Sequence, residues 1–449
     1  MSQAMTILRG ALANAGAAYW LRDARVPACL LDAPPPGPVD REGLVRVDLS
    51  VAAGRIAAVA PAGSAPDGLS LDGGQIWPGL VDGHTHIDKG HIWPRMPNPD
   101  GTFGGAIGAV MADRGAKWSI EDMRARADFA LRAAHAHGTV ALRTHLDSYM
   151  PHAPNAWAMF RALRDDWAGR ITLQASSIAP LDRFAGEEGA ALADIVAESG
   201  GVLGMVTRLT GGLHDDLPAD FQPMLDRFFA LAEERDLTLD LHVDESGETG
   251  ARALREIAAT ALKRGFKRPI QCGHCCALSL HPDEFAAETI HLCAEAGIAV
   301  IVLPMCNMYL QDRVPGRTPR WRGVTLVHEM RAAGVPVSVA SDNTRDPFYA
   351  YGDLDMVEVV REATRILHLD HPFGDWPRAA AATPAAALGL HDHGLIRVGA
   401  AADLILFRGR VMTELLSRPQ ADRIVLRAGR VLDAELPDWR ELDHLFTSG

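Results

Sequence analysis

The chain has 449 residues, 48% of them hydrophobic and 22% charged, with a formal net charge of −13. That length supports one large domain with a smaller one, and the balanced composition excludes disorder and collagen-like repeats. The acidic balance argues against a nucleic-acid or anionic-membrane surface and favours a small neutral or cationic substrate. No apolar run of about 18 residues exists, and the first twenty residues lack the ordered features of a secretion signal, so a cytoplasmic protein is expected.

From about residue 17 to 71 the chain carries short β-prone pieces, VPACLL, GLVRVDLSV and GRIAAVAP, punctuated by Pro and Gly. The same texture returns near the other end in GLIRVGAAADLILFRGR and ADRIVLRAGRVLDAE. We expect one small β-sandwich domain assembled from both termini, residues 1–74 and 395–449, flanking a catalytic domain at 75–394.

In that central stretch, apolar runs alternate with Ala- and charge-rich segments of helical periodicity. The predicted strands are 76–84, 139–147, 171–180, 202–210, 238–245, 270–275, 299–307 and 336–343. Runs this continuously apolar suit strands covered on both faces. Eight of them alternating with helices predict an α/β fold, a distorted TIM (β/α)8 barrel, whose chemistry sits at the C-terminal strand ends.

Those ends carry metal-ligand chemistry. His84-Thr85-His86 puts two imidazoles on one face of an extended strand, because side chains alternate with a period of two. Strand two closes on His145 and Asp147, strand five on His242 and Glu245, strand six on His274 and strand eight on Asp342. Histidines with one carboxylate suit Zn2+ or Fe2+, with Mn2+ also accepted by such donors. His84, His86, His242 and Asp342 are the predicted ligands, and His274 is either a ligand or within reach of a bound water. Glu245, three residues after a ligand and just past a strand end, suits proton transfer. The fourth strand, VLGMVTRLTGG, has no Lys and no acid to bridge two ions, so one divalent metal ion is expected. Six cysteines, three of them at Cys272, Cys275 and Cys276, read as free buried thiols, because Cys272-Gly-His-Cys275 lacks the second pair of a structural zinc site.

The sequence resembles the amidohydrolase superfamily and, within it, the cytosine deaminase group. PGLVDGHTHIDKG (78–90) and ATPAAALGL…GLIRVGAAADLILF (382–407) carry the general pattern. GTVALRTHLD (138–147), LHVDE (241–245), GHC (273–275), NMYLQDR (307–313), WRGVTLVHEM (321–330) and SDNTRDPFYAYGDLDM (341–356) carry the closer one. The resemblance implies a mononuclear metal hydrolase that removes ammonia from an aminopyrimidine-like small molecule, and it leaves homo-oligomerisation open. It also implies that His274 contacts the hydrolytic water, that Asp342 accepts a proton as water attacks, and that Glu245 protonates the adjacent ring nitrogen.

Two departures bear on substrate. Where the group reads the pyrimidine edge with a Gln after strand three, this chain has SIAPLDRF, with Pro180 or Leu181 at that place, and the paired acids after strand eight become Asp342-Asn343. The expected substrate is cytosine or a close relative, and these changes suggest a pocket less polar than one for cytosine itself, suited to an alkylated ring such as 5-methylcytosine or to another cyclic amidine such as creatinine. Lys89, Leu181, Asn343 and Phe348 are the expected substrate contacts. Lys89 and His91 lie in the loop after strand one, and Trp93 with 98–103 is expected near the mouth. The competing readings are a cyclic amide, imide or aminotriazine amidohydrolase on the same scaffold, and a non-catalytic metal-stabilised binding protein.

Overall fold

The computed structural model describes residues 1–419 and 422–446, and the chain divides into two compact units. One comprises residues 1–82, 132–141 and 355–436; the other comprises 83–131, 142–354 and 437–449. No helix among the described residues is long and apolar enough to cross a membrane.

The first unit is built on a sheet drawn from both ends of the chain. Ala18–Pro27 lies between Leu44–Ala52, antiparallel to it, and Gln75–Pro78, parallel to it. Gln75–Pro78 pairs antiparallel with Leu404–Phe407, and Leu404–Phe407 with Arg423–Arg427, so the C-terminal strands continue the N-terminal sheet. Alternate residues face one core: Val47, Leu49 and Val51 from one strand meet Leu404 and Leu406 from another, with Met5 and Leu12 of the helix Gln3–Ala13. Period-two patterning therefore sets both register and burial.

The barrel follows the predicted order. Leu80–Thr85, Thr139–Asp147 and Thr172–Ile178 form one sheet, and Leu239–Val243, Ile270–His274, Ala299–Val302 and Val337–Val339 form another. The gap is spanned by segment 202–206, bridged by Val202 to Ser176 and by Leu203 to Leu239, while Thr85 bridges Asp342 on the other side. Eight parallel positions thus close into a ring. All six cysteines are free, and five of them are buried.

Among the boundaries that differ from the sequence expectation, three have a local steric reason, while the third, fifth and eighth strands are simply shorter than expected, at Thr172–Ile178, Leu239–Val243 and Val337–Val339. The run 76–84 is two strands, broken at Gly79, where an added Cβ would meet Val140 Cγ1 at 2.1 Å. The fourth strand is reduced to bridges around Gly204, whose Cβ position lies 2.2 Å from Ser177 O and 2.5 Å from Asp240 O; only glycine permits that approach. The seventh strand ends at Val302, and Pro304 opens a short helix, Pro304–Leu310, instead of extending it.

Candidate active site

The strand ends bring His84, His86, His242 and Asp342 to one point. His84 Nε2 lies 3.1 Å from His242 Nε2, and His242 Nε2 lies 3.3 Å from His86 Nε2. Asp342 Oδ1 is 3.2 Å from His86 Nε2 and 3.6 Å from His84 Nε2. Burial, followed by neighbouring cationic groups, holds all three imidazoles well below their usual pKa, so they face one another as neutral rings. Lone pairs and a carboxylate converging this closely repel unless a cation sits among them. A tetrahedral ion with bonds of about 2.1 Å would set its donors about 3.4 Å apart, so the donor set fits a divalent metal.

The backbone holds this arrangement under constraint. The Asp342 N–H donates to His84 O at 2.9 Å, tying the eighth position to the first. Asp342 and His274 adopt φ of 63° and 68°, left-handed values that non-glycine residues adopt at a cost of about 1 kcal/mol or more each. Gly273 supplies room for His84, since a Cβ there would approach its Cε1 to 2.9 Å. His145 stacks on His84 with ring centroids 3.9 Å apart, and its Nε2 lies 3.1 Å from Asp240 Oδ1.

Beside the cluster, Asn307 Nδ2 lies 2.9 Å from His274 Nδ1 and 3.3 Å from Glu245 Oε1. An amide donor on Nδ1 leaves the His274 proton on Nε2, which is buried without a protein hydrogen-bond partner. His274, His84 and Asp342 offer donor atoms that all lie within 4.8 Å of one another. Burial, then the Asp342 charge, pushes Glu245 well above the usual carboxylate range, so it is able to carry a proton.

A cavity opens onto this cluster, and Lys89, Asn343 and Phe348 line it. Lys89 Nζ stands 3.5 Å from Asp147 Oδ1 and 5.0 Å from the Phe348 ring centre. Burial opposes its charge, but Asp147 and Asp88 outweigh that and raise its pKa. Asn343 donates to Asp346 Oδ2 at 2.6 Å and accepts from Cys306 Sγ at 3.7 Å. Leu181 is elsewhere: fully buried in the short turn Leu181–Phe184, it donates its N–H to Val206 O and Arg208 O, and Ile178 lines the cavity on that side. His91 packs against Phe129 and Trp439, with centroids 4.9 and 5.7 Å away.

Of the other lining residues, Phe103 ends the segment expected near the mouth, and the rest lay outside the sequence expectation. Helix Phe103–Lys117, capped by Thr102, turns Phe103, Ile107, Val110 and Arg114 toward the cavity at helical spacing. Arg114 Nη1 donates to Asp147 Oδ2 at 2.6 Å. Arg208 and His214 come from the loop after the fourth barrel position. Their only signal was the phrase TRLTGGLHDD, in which a search for a bridging Lys or acid passes over an Arg and a His.

A closed parallel barrel with a histidine–carboxylate cluster at its C-terminal rim defines a class of metal-dependent enzymes. The model of a family described as "Amidohydrolase family" matches residues 119–433. A pterin deaminase of Rhizobium rhizogenes is 52% identical over 406 residues, covering 90% of this chain and 91% of that protein. An N-isopropylammelide isopropyl amidohydrolase of Pseudomonas sp. (strain ADP) is 25% identical over 386 residues, 82% of this chain and 89% of that protein. In fold, the chain is similar to a 5-methylcytosine deaminase from Klebsiella pneumoniae with bound 5-fluorocytosine. The TM-score is 0.78 at 23% identity, covering 93% of this chain and 98% of that one. The chain belongs to the amidohydrolase family and is a hydrolase.

Proposed function

We propose that the protein is a deaminase that uses a single divalent ion, Zn2+ or Fe2+, to hydrolyse the exocyclic amine of a pterin-type 2-amino-4-oxo heterocycle, releasing ammonia. The observation that carries the reading is the convergence of three neutral imidazoles and Asp342 beside the Glu245–Asn307–His274 group. The 52% identity to a pterin deaminase supports the ring, in place of the cytosine-sized substrate expected from sequence. Phe103 and Phe348, with centroids 5.6 Å apart, offer a bicyclic ring an aromatic wall.

His84, His86, His242 and Asp342 would hold the ion. When bound it supplies Lewis acidity that brings the pKa of a water toward about 7. Asp342 takes the proton of the attacking water, and His274 orients that water through Nε2. Glu245 delivers a proton to the ring nitrogen beside the amino-bearing carbon. Asp342 passes the proton it took from the water to the leaving amine, ammonia departs as the ring carbonyl forms, and the proton released from the new carbonyl oxygen returns to Glu245.

Ammonia release is to be measured on pterin, cytosine, 5-methylcytosine, isocytosine, creatinine and an aminotriazine, with metal content determined on the same sample. We expect the highest kcat/KM on pterin and one ion per chain. Equal or faster turnover of cytosine overturns the ring assignment, and two tightly held ions per chain overturn the single-metal reading. No ammonia from any of these by metal-loaded protein overturns the deaminase.

A further inference from the structure

Ile178 stands on the cavity wall at the end of the third barrel strand, while Gln174, the amide on that strand, accepts from Arg143 and does not line the cavity. An oxo group buried without a donor costs more than a hydrogen bond gains. Of the polar residues in the wall, Lys89 and Arg114 are paired with Asp147 and Asn343 donates to Asp346, so a neutral donor has to come from another element.

The loop after the fourth barrel position offers one. Thr207 is anchored to the metal-bearing fifth strand, its N–H donating to His242 O at 3.0 Å. Its hydroxyl oxygen accepts the Asp244 N–H at 3.4 Å and lies 3.1 Å from His214 Nδ1. With one hydroxyl lone pair engaged by Asp244, the arrangement that also uses the hydroxyl proton directs it to Nδ1. The imidazole then carries its own proton on Nε2. His214 is 5% exposed and lines the same cavity as His242, Glu245 and His274. Phe103 meets it edge to face at 5.7 Å, which fixes the ring plane.

We propose that His214 is a specificity-determining residue that donates a hydrogen bond from Nε2 to the ring oxo group of the substrate. The assignment rests on the deaminase reading above. Thr207 is its positioning residue, selecting the tautomer and tying the ring to the strand that carries His242. Burial, then the nearby Arg208, holds the His214 pKa at about 3, so the ring stays neutral and keeps this single donor across the working range. Substrates with an acceptor beside the amidine are favoured, and rings with an amine or a methyl there are rejected.

The test compares His214→Phe, which keeps an aromatic ring without a donor, with His214→Gln, which keeps a donor, and Thr207→Val. Each is assayed for kcat, KM and bound metal on the amino-oxo heterocycle that the wild type turns over best. We expect His214→Phe to raise KM roughly tenfold to a hundredfold at wild-type metal content. His214→Gln should recover most of that loss, and Thr207→Val should fall between. Equal defects in His214→Phe and His214→Gln, or a defect that tracks lost metal, would reduce His214 to packing and overturn the proposal. So would wild-type kcat/KM in His214→Phe. If pterin is inert but another amino-oxo ring is turned over, the substrate assignment fails while the His214 comparison still decides this one. If no ring is turned over, both fall.

Discussion

Two sets of buried carboxylates hold opposite electrostatic positions. In the unit carrying the barrel rim, burial is not offset at three carboxyls: Glu245 is pushed well above the usual range, and Asp88 and Asp346 are raised to about 7 and about 6, whereas Asp147, beside Lys89 and Arg114, is lowered. In the unit built on the terminal sheet, Asp355 is just as buried, yet Arg423 and His137 overcome the desolvation and lower it to about 2. Arg423 donates to both of its oxygens. The difference separates carboxyls left able to hold a proton near neutral pH, at a cost to stability, from one held ionised by its partners.

The comparison breaks first at the metal. Stripping the ion with a chelator should abolish turnover and also lower Tm, because the three facing imidazoles and Asp342 lose the cation that stabilises them. At a thousandfold excess over Kd that linkage is worth about 4 kcal/mol. Unchanged Tm on chelation would mean that the cluster is satisfied without an ion. Next comes Glu245→Gln, expected to lower kcat by roughly 10³-fold or more while retaining metal and matching or exceeding wild-type Tm. Turnover within tenfold of wild type would remove Glu245 from proton transfer.

What was legible in the sequence follows the same division. His84, His86, His242, Glu245, His274 and Asp342 sit at or just past strand ends, so a period of two and the barrel rule locate them. Asn343 and Phe348 lie beyond the eighth strand and were legible through the family resemblance carried by SDNTRDPFYAYGDLDM. The wall was harder to read because it comes from a helix face and a long loop. Phe103 was expected near the mouth, but Ile107, Val110 and Arg114 share a helix face that no motif marks, and His214 comes from a loop where only its contact with Thr207 places it, which no local pattern announces. Leu181 was misdirected by a family correspondence: a turn after the third strand buries it, and Ile178 faces the cavity. In the terminal sheet, strand texture was legible. The pairing of Gln75–Pro78 with Leu404–Phe407 was not, since register between distant segments is a tertiary property.

Asp355→Asn should act on the other side of the comparison. It leaves the buried Arg423 without its charged partner and should cost about 3 kcal/mol of stability, read as a fall in Tm, with kcat and metal content unchanged. The pH dependence has a definite sign. A carboxyl lowered from 3.8 to about 2 contributes stability that is fully present above about pH 4 and is lost as pH falls toward 2. That contribution is about 2 kcal/mol, and the variant should lack it. A variant as acid-labile as the wild type in this window would show that other carboxylates dominate there.

The smallest effect is expected at Asp346, which shares features of both sets. Its carboxylate accepts from Asn343 Nδ2 and from the N–H groups of Phe348 and Tyr349, yet burial still raises its pKa to about 6. A raised carboxyl favours the fold while protonated and loses that advantage as pH climbs through 6. Asp346→Asn keeps an acceptor for the backbone amides without the buried charge. At neutral pH its stability should therefore lie within about 1 kcal/mol of wild type, and its Tm should decline less between pH 5 and 8. The amide nitrogen in place of Oδ2 meets the Asn343 Nδ2 donor and removes that one hydrogen bond, which should shift KM only a few-fold because Asn343 and Phe348 remain in the cavity wall. A loss as large as that of Asp355→Asn would show that the Asp346 charge is structurally compensated and that the line between the two sets is drawn in the wrong place.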